Sequence, residues 1–485
     1  MGIRLKSRAQ ITDRAPEPCV SACGPGRNQP SIAARFAVNR LRASGKRLAA
    51  SAFVRNASIM LIGTTLGQTA SVVLAPVLTR LYTAEEFGFL SVYTAALAIL
   101  GVTAALGLDL AIPLAATEFE LANLIAASAI AVAITSGLIG LIMWSLPAAA
   151  LAQIWPGPLD QLRYLIPLGL ACVGGYYVMV AAATCAGRFA DIARTRITQG
   201  IGGPLSQIGF GILGAGNEGL AIGFIIGQTS GCFLLLSRVV LRGPVPHSAV
   251  SWRGIRTIVA HYIRFPLLAS WTRVVDMAGS GTILYLLFSA YYGSEIVGFM
   301  FLGERVIARP LLMVSSSLLQ VFSGEAGRAA REDPVTLGRR FRQVVPVQSL
   351  FALIWILPVN LLANRAVPLL FGDPWVAAIP CLHALSLAYL ALAVVHPVST
   401  TLQLLDRQTL AAIWQMLRLS LLVVATVASR RYGISAVEAL WICSVVQAVT
   451  CVGMLATMAV CIRRLTIASR NTAPEQCSSM LQPRR

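Results

Sequence analysis

Between residues 57 and 461 the chain passes through twelve stretches of mainly apolar residues, at 57–79, 88–112, 122–147, 163–186, 196–214, 218–239, 264–289, 295–321, 344–364, 376–404, 409–428 and 436–461. About twenty such residues are what a helix needs to cross the hydrocarbon core of a bilayer. Backbone in lipid must satisfy its own hydrogen bonds, so each stretch is expected to be helical. Only 12% of the residues are charged, about half the share a soluble domain carries. A large soluble enzyme and a disordered chain are both excluded. The expected fold class is all-α, a polytopic membrane protein of about twelve transmembrane helices in two six-helix bundles around a central cavity.

The net charge of +19 would suggest nucleic acid in a soluble protein. Here its placement gives a plainer cause, because cytoplasmic loops collect arginine and lysine. With the first segment placed inside, the inner loops hold Arg188, Arg194, Arg196, Arg238, Arg242, Arg253, Arg256, Arg264, Arg328, Arg331, Arg339, Arg340, Arg342 and Arg407. The outer loops hold Arg80, Arg163, Arg365, Arg430 and Arg431. This imbalance puts both termini in the cytoplasm, and an even number of spans agrees. The domains expected are a basic cytoplasmic tail at 1–55, a six-helix bundle at 56–240, a cytoplasmic linker at 241–262, a second six-helix bundle at 263–463 and a basic tail at 464–485.

The first tail has no apolar run of signal-peptide length, and residues 32–50 have the pattern of a basic amphipathic helix suited to an anionic leaflet. The ten cysteines are scattered. Cys19 and Cys23 form a lone pair with no further ligand nearby, so no metal or other cofactor is expected.

An internal echo supports two halves. At a separation of 210 residues, Tyr82, Glu85, Gly88 and Phe89 match Tyr292, Glu295, Gly298 and Phe299, at the outer turn between the first and second helices of each half. Repeated halves related across a cleft are a common transporter plan. The segment 196–214 is unusual, with Gly200, Gly202, Gly203, Pro204, Gly209 and Gly211 beside Gln199 and Gln207. It is expected to be a broken helix lining a cavity or one in close contact with its neighbours.

The stretch 55–114 contains GTTLGQ, TRLYTAEEFG and LGLDLAIP, and the second half contains FPLLASWTRVVDMAGSGTILYLLFSAYYGSEIVGFMFLGERVIARPLL, LLFGDPWVAAIP and HPVSTTLQLLDRQ. In these features the chain resembles the bacterial polysaccharide-transporter flippases, within the wider superfamily of multidrug and lipid-linked-oligosaccharide exporters. The resemblance covers about 55–465. It implies a flippase that moves an undecaprenyl-pyrophosphate-linked oligosaccharide across the inner membrane for O-antigen, capsule or exopolysaccharide assembly. The partners expected are that lipid-linked oligosaccharide, anionic inner-membrane lipids, and the polymerase and chain-length proteins of polysaccharide assembly, with no nucleic acid.

An ionisable group at mid-membrane is costly and calls for a reason. Arg273, Arg305, Arg309 and Arg418 fall inside spans, and facing lipid they would together cost roughly 10 kcal/mol. Arg305 and Arg309 are four apart, hence on one helical face. A guanidinium stays charged and bonds two phosphate oxygens at once, so these four arginines are the expected substrate-binding residues. Asp109, Asp276 and Glu304 are the candidate ion-coupling carboxylates or charge partners, with Asp276 beside Arg273 and Glu304 beside Arg305 along the chain. A purely structural ion pair is the alternative use of such groups.

Two other functions stay open. A drug or metabolite antiporter would share the fold, but a cavity for cationic drugs should be lined with carboxylates. A polysaccharide polymerase or glycosyltransferase would need catalytic groups on long outer loops or a nucleotide-sugar domain. No Gly-rich phosphate loop, HExxH or GxSxG pattern is present.

Overall fold

In the computed structural model, residues 58–147, 159–241, 250–263, 270–332 and 334–480 are described. The expected amphipathic helix at 32–50 lies outside them. Among the described residues the chain is helical with no strand. The first half contains α1 (Ser58–Leu81), α2 (Ala84–Ala104), α3 (Glu118–Ser145), α4 (Leu159–Cys185), α5 (Phe189–Ile212) and α6 (Gly216–Leu235). A short helix, α7 (Trp252–His261), occupies the expected linker. The second half contains α8 (Ser270–Met277) and α9 (Ile283–Tyr292), then α10 (Ser294–Gly303) and α11 (Arg309–Glu332), then α12 (Pro334–Phe371), α13 (Ile379–Val395), α14 (Gln408–Arg431) and α15 (Ala436–Met480). Helices α8 and α9 form one span, joined by the segment Ala278–Thr282, which is kinked at Gly281. Helices α10 and α11 form another, joined by the π-helical turn Glu304–Ala308.

Over the described residues, each of the twelve expected spans is therefore mainly a helix or a helix pair. Among the described residues, nine helices have a window apolar enough to cross a membrane. The other three spans are α5, α8–α9 and α10–α11, which carry the glycines, glutamines and arginines. Leu138, Leu141, Leu361, Leu369, Val449 and Val452 are exposed on the outside of the protein, which is where a lipid-facing surface belongs. The helix α15 runs on to Met480, past residue 461 where the apolar stretch ends.

Local chemistry sets the helix starts. Thr83 and Glu86 form a capping box at α2, the Thr83 N–H donating to the Glu86 carboxylate at 2.7 Å. Ser435 and Glu438 repeat this arrangement before α15. Glu120 accepts from the Ala116 N–H at 2.9 Å ahead of α3. Such carboxylates satisfy the orphan donors of a first turn, which accounts for Glu120 at the start of α3.

Some loop arginines are likewise used by the fold. Arg163 donates to the carbonyls of Met143, Trp144 and Leu146 at the end of α3, and Arg80 donates to the Leu369 carbonyl near the end of α12. Arg188, Arg194 and Arg238 all pair with Asp191, at 2.9, 3.0 and 2.8 Å. That hub ties the start of α5 to the end of α6.

The two halves meet most closely where α2 packs on α10. A β-carbon on Gly88 would lie 1.8 Å from the Ser294 carbonyl oxygen, and one on Gly298 would lie 1.8 Å from that of Ala84. Above this crossing the Trp375 indole donates to the Thr79 carbonyl at 2.9 Å and packs edge-on against Phe87 and Phe299. The Gly-rich segment is one continuous helix, α5, and it is in close contact with its neighbours. A β-carbon on Gly200 would meet the Gly67 backbone of α1, and Gly223 of α6 abuts Gln207.

Candidate functional site

Among the described residues, two cavities bear on the site. The smaller, of about 250 Å³, sits where the halves meet and is walled by α1, α2, α5 and α6 together with Phe301, Arg305 and Arg309 of the second half. The larger, of about 530 Å³, lies within the second half, between α9, α10, α13, α14 and α15. The three spans too polar to read as ordinary membrane helices supply walls to one or both.

Arg305 is only 5% exposed. Its guanidinium stacks over the rings of Phe301 at 4.7 Å and Phe87 at 5.5 Å. Its Nε and Nη1 have no hydrogen-bond partner among the described residues. Cation–π contact offsets part of the burial cost, but the in-plane donors are left unmatched. Arg309 lines the same cavity, its Nε also without a partner among the described residues. From the facing wall comes Arg196 of α5, stacked over Tyr176 at 5.5 Å. No carboxylate lines this cavity among the described residues. Thr64, Gln68, Thr94, Gln199 and Gln228 complete it with neutral polar groups, and the Gln199 amide donates to Gln228 at 3.0 Å.

Glu304 and Arg305 are adjacent in sequence yet face different cavities. Glu304 lines the larger one with Tyr285, Tyr389, His396, Gln415, Arg418 and Gln447. The Tyr285 hydroxyl donates to the Glu304 carboxylate at 2.7 Å, and Arg309 reaches the other oxygen at 3.4 Å. That pairing is a product of the π-helical turn. In an α-helix residues five apart point away from each other. Here the Arg309 N–H bonds to the Glu304 carbonyl, the π-type register, and the two side chains meet. The carboxylate of Glu304 thus pairs with Arg309, not with its neighbour Arg305.

Arg273 lies elsewhere, at the far end of the interface from Gly88. Its Nη1 is 2.7 and 3.0 Å from the two carboxylate oxygens of Asp109, in the 3₁₀ turn that follows α2. Asp109 is buried at 6% exposure. The partner of Arg273 is thus a carboxylate of the opposite half, and Asp276 lies on α8 with its side chain outside the described part. Arg418 of α14 is buried on the wall of the larger cavity and donates to Gln415. Of the four arginines the sequence singles out, the structure brings two together, Arg305 and Arg309. It adds Arg196, which the loop count assigned to an inner loop.

Two bundles packed face to face, with buried arginines at their junction and an outer lipid-facing surface, define a multi-pass membrane protein. The chain belongs to the polysaccharide biosynthesis protein family, which it matches over residues 77–380. Its fold is shared with solved transporters of low sequence identity. A lipid II flippase, MurJ, in an inward closed conformation is 11% identical over 89% of this chain and 94% of that one, with a TM-score of 0.60. A multidrug resistance MATE family transporter of the MOP superfamily, in an inward-facing conformation, is 14% identical over 85% and 99%, with a TM-score of 0.59. A MOP superfamily transporter from Pyrococcus furiosus, described as having a binding pocket of reverse polarity, is 17% identical over 85% and 96%, with a TM-score of 0.54. No curated protein matches the chain significantly.

Proposed function

We propose that this protein is a flippase of the bacterial inner membrane, with both termini cytoplasmic, that carries an undecaprenyl-pyrophosphate-linked oligosaccharide to the outer leaflet for O-antigen, capsule or exopolysaccharide assembly. The observation that carries this reading is Arg305, buried at the junction of the halves with donors unmatched among the described residues. A buried guanidinium in that state favours an anion with several acceptor oxygens. Arg309 and Arg196 add two further positive charges to the same space. A cavity without carboxylates suits a pyrophosphate and disfavours a cationic drug.

The cavity of about 250 Å³ has room for a headgroup fragment and not for an oligosaccharide. The halves must part for cargo to enter, as alternating access requires. The Asp109–Arg273 pair is placed to hold the cytoplasmic ends of α2 and α8 together until then. In this scheme Arg273 acts at the cytoplasmic entrance, Arg418 acts deeper in the second half, and the lipid tail stays in the bilayer.

The test is complementation of a Gram-negative strain lacking its own flippase, at matched membrane levels. Wild type is expected to restore surface polysaccharide and Arg305→Ala to fail. Reduced drug sensitivity without polysaccharide would replace this reading with an antiporter.

A further inference from the structure

Arg309 is shared between the two cavities. Its side chain lines the smaller, while its ion-pair partner Glu304 lines the larger. The pair is 3.4 Å long, with each side chain 30% exposed, so neither group is locked away. An anion entering the smaller cavity would compete with Glu304 for the same guanidinium.

We propose that Glu304 is an internal competitor for Arg309: it holds the arginine while the cavity is empty and yields it to the anionic headgroup, taking up one proton from water in exchange. This rests on the anion-binding reading of the smaller cavity. The charge balance is simple. An anion that recruits Arg309 leaves the Glu304 carboxylate facing the Tyr285 and Tyr389 hydroxyls, with no cation at contact distance. The other titratable or charged groups around it are Arg305 on its own turn, His396 after α13, Arg418 of α14 and Cys443 of α15, the last three on the wall of the larger cavity. Protonation removes the stranded negative charge from a region of low dielectric. Anion and proton therefore bind together, each favouring the other by the same factor, as linkage demands.

The π-helical turn is what makes the device. With regular α-helical geometry Glu304 would point away from Arg309, and the two cavities would be electrostatically separate.

The experiment measures inorganic pyrophosphate binding to the full-length protein in nanodiscs by calorimetry, in buffers of different ionisation enthalpy and across a range of pH. Wild type is compared with Glu304→Gln and Glu304→Ala, because pyrophosphate itself titrates and only the difference between proteins is informative. Both variants are expected to bind about fivefold more tightly at pH values where Glu304 is ionised, the low end of coupling between sites. They should also take up about one proton fewer than wild type on binding. Unchanged affinity and unchanged proton uptake in both variants would overturn the competition while leaving the anion site intact. Absence of pyrophosphate binding in wild type and variants alike would overturn the anion-cavity reading itself, and this inference with it.

Discussion

Gly88 and Gly298 occupy equivalent places in the two halves, 210 residues apart, and each lies against the backbone of the other's helix. The oxygen that Gly88 meets belongs to Ser294, and the one Gly298 meets belongs to Ala84, again 210 residues apart. The contact is reciprocal, as a pseudo-twofold axis between the halves requires. It also explains why a glycine recurs at that spacing, since only glycine allows two helix backbones to approach so closely.

A methyl group at either glycine should therefore separate the halves. Gly88→Ala and Gly298→Ala are each expected to lower stability by about 1–3 kcal/mol, the usual cost of overpacking. Gly137→Ala is the control, since nothing lies within 4 Å of its added carbon and alanine is the better helix former. Thermal melting of the purified proteins in detergent, followed by size exclusion, reads the difference. Equal melting of Gly88→Ala and Gly137→Ala would contradict the seam.

The Asp109–Arg273 pair should behave as one unit. Asp109→Asn and Arg273→Gln are each expected to alter transport, and the double variant should cost less than the two singles added together. A coupling energy of about 1–3 kcal/mol is expected for such a contact. Transport rates of the four proteins at matched levels close the cycle. Strict additivity would mean that the pair does not join the halves.

Arg305 offers a fork and not merely a charge. Arg305→Lys keeps the cation but loses the bidentate geometry, so it should recover only part of the activity that Arg305→Ala loses. The two proteins should express and melt similarly if the group serves cargo and not the fold. Full recovery by lysine would reduce Arg305 to a point charge.

Gln199 and Gln228 face the arginines from α5 and α6. Amides in that position can read sugar hydroxyls next to a pyrophosphate. Gln199→Ala and Gln228→Ala should change the relative transport of cargo with different first sugars and leave protein levels unaltered. Uniform loss across sugars would assign the pair to helix packing.

At Gly281 the backbone has φ of +106° inside the turn that joins α8 to α9, a conformation side chains resist. Gly281→Ala is expected to cost about 1–2 kcal/mol, measured by melting. A neutral outcome would mean that this break straightens without penalty.

Much of the architecture was legible because lipid imposes it. Over the described residues every apolar stretch of spanning length is a helix or a helix pair, and the weakest of them, 196–214, is weak for a physical reason. Gly200, Gly203 and Gly211 lie against α1 or α6, and its polar residues line a cavity. The arginines at 273, 305, 309 and 418 stood out because charge is rare in spans. Their partners did not. Asp109 meets Arg273 across the interface, a contact 164 residues apart in sequence that no local pattern reveals. Glu304 turns from Arg305 to Arg309 because of a π-helical register, which the sequence does not announce. Arg196 was hidden by the loop count, although the glutamine three residues later was the clue that its helix faces something polar.

The most direct test of the central claim is transbilayer movement itself. The purified protein is reconstituted in liposomes carrying an undecaprenyl-pyrophosphate-linked oligosaccharide, and the sugar exposed on the outside is followed with an impermeant lectin or glycosidase. The account predicts that wild type equilibrates the sugar between leaflets, that Arg305→Ala does so far more slowly, and that a lipid lacking the pyrophosphate is not moved. Equal movement by wild type and Arg305→Ala, or by lipids with and without the pyrophosphate, would contradict it.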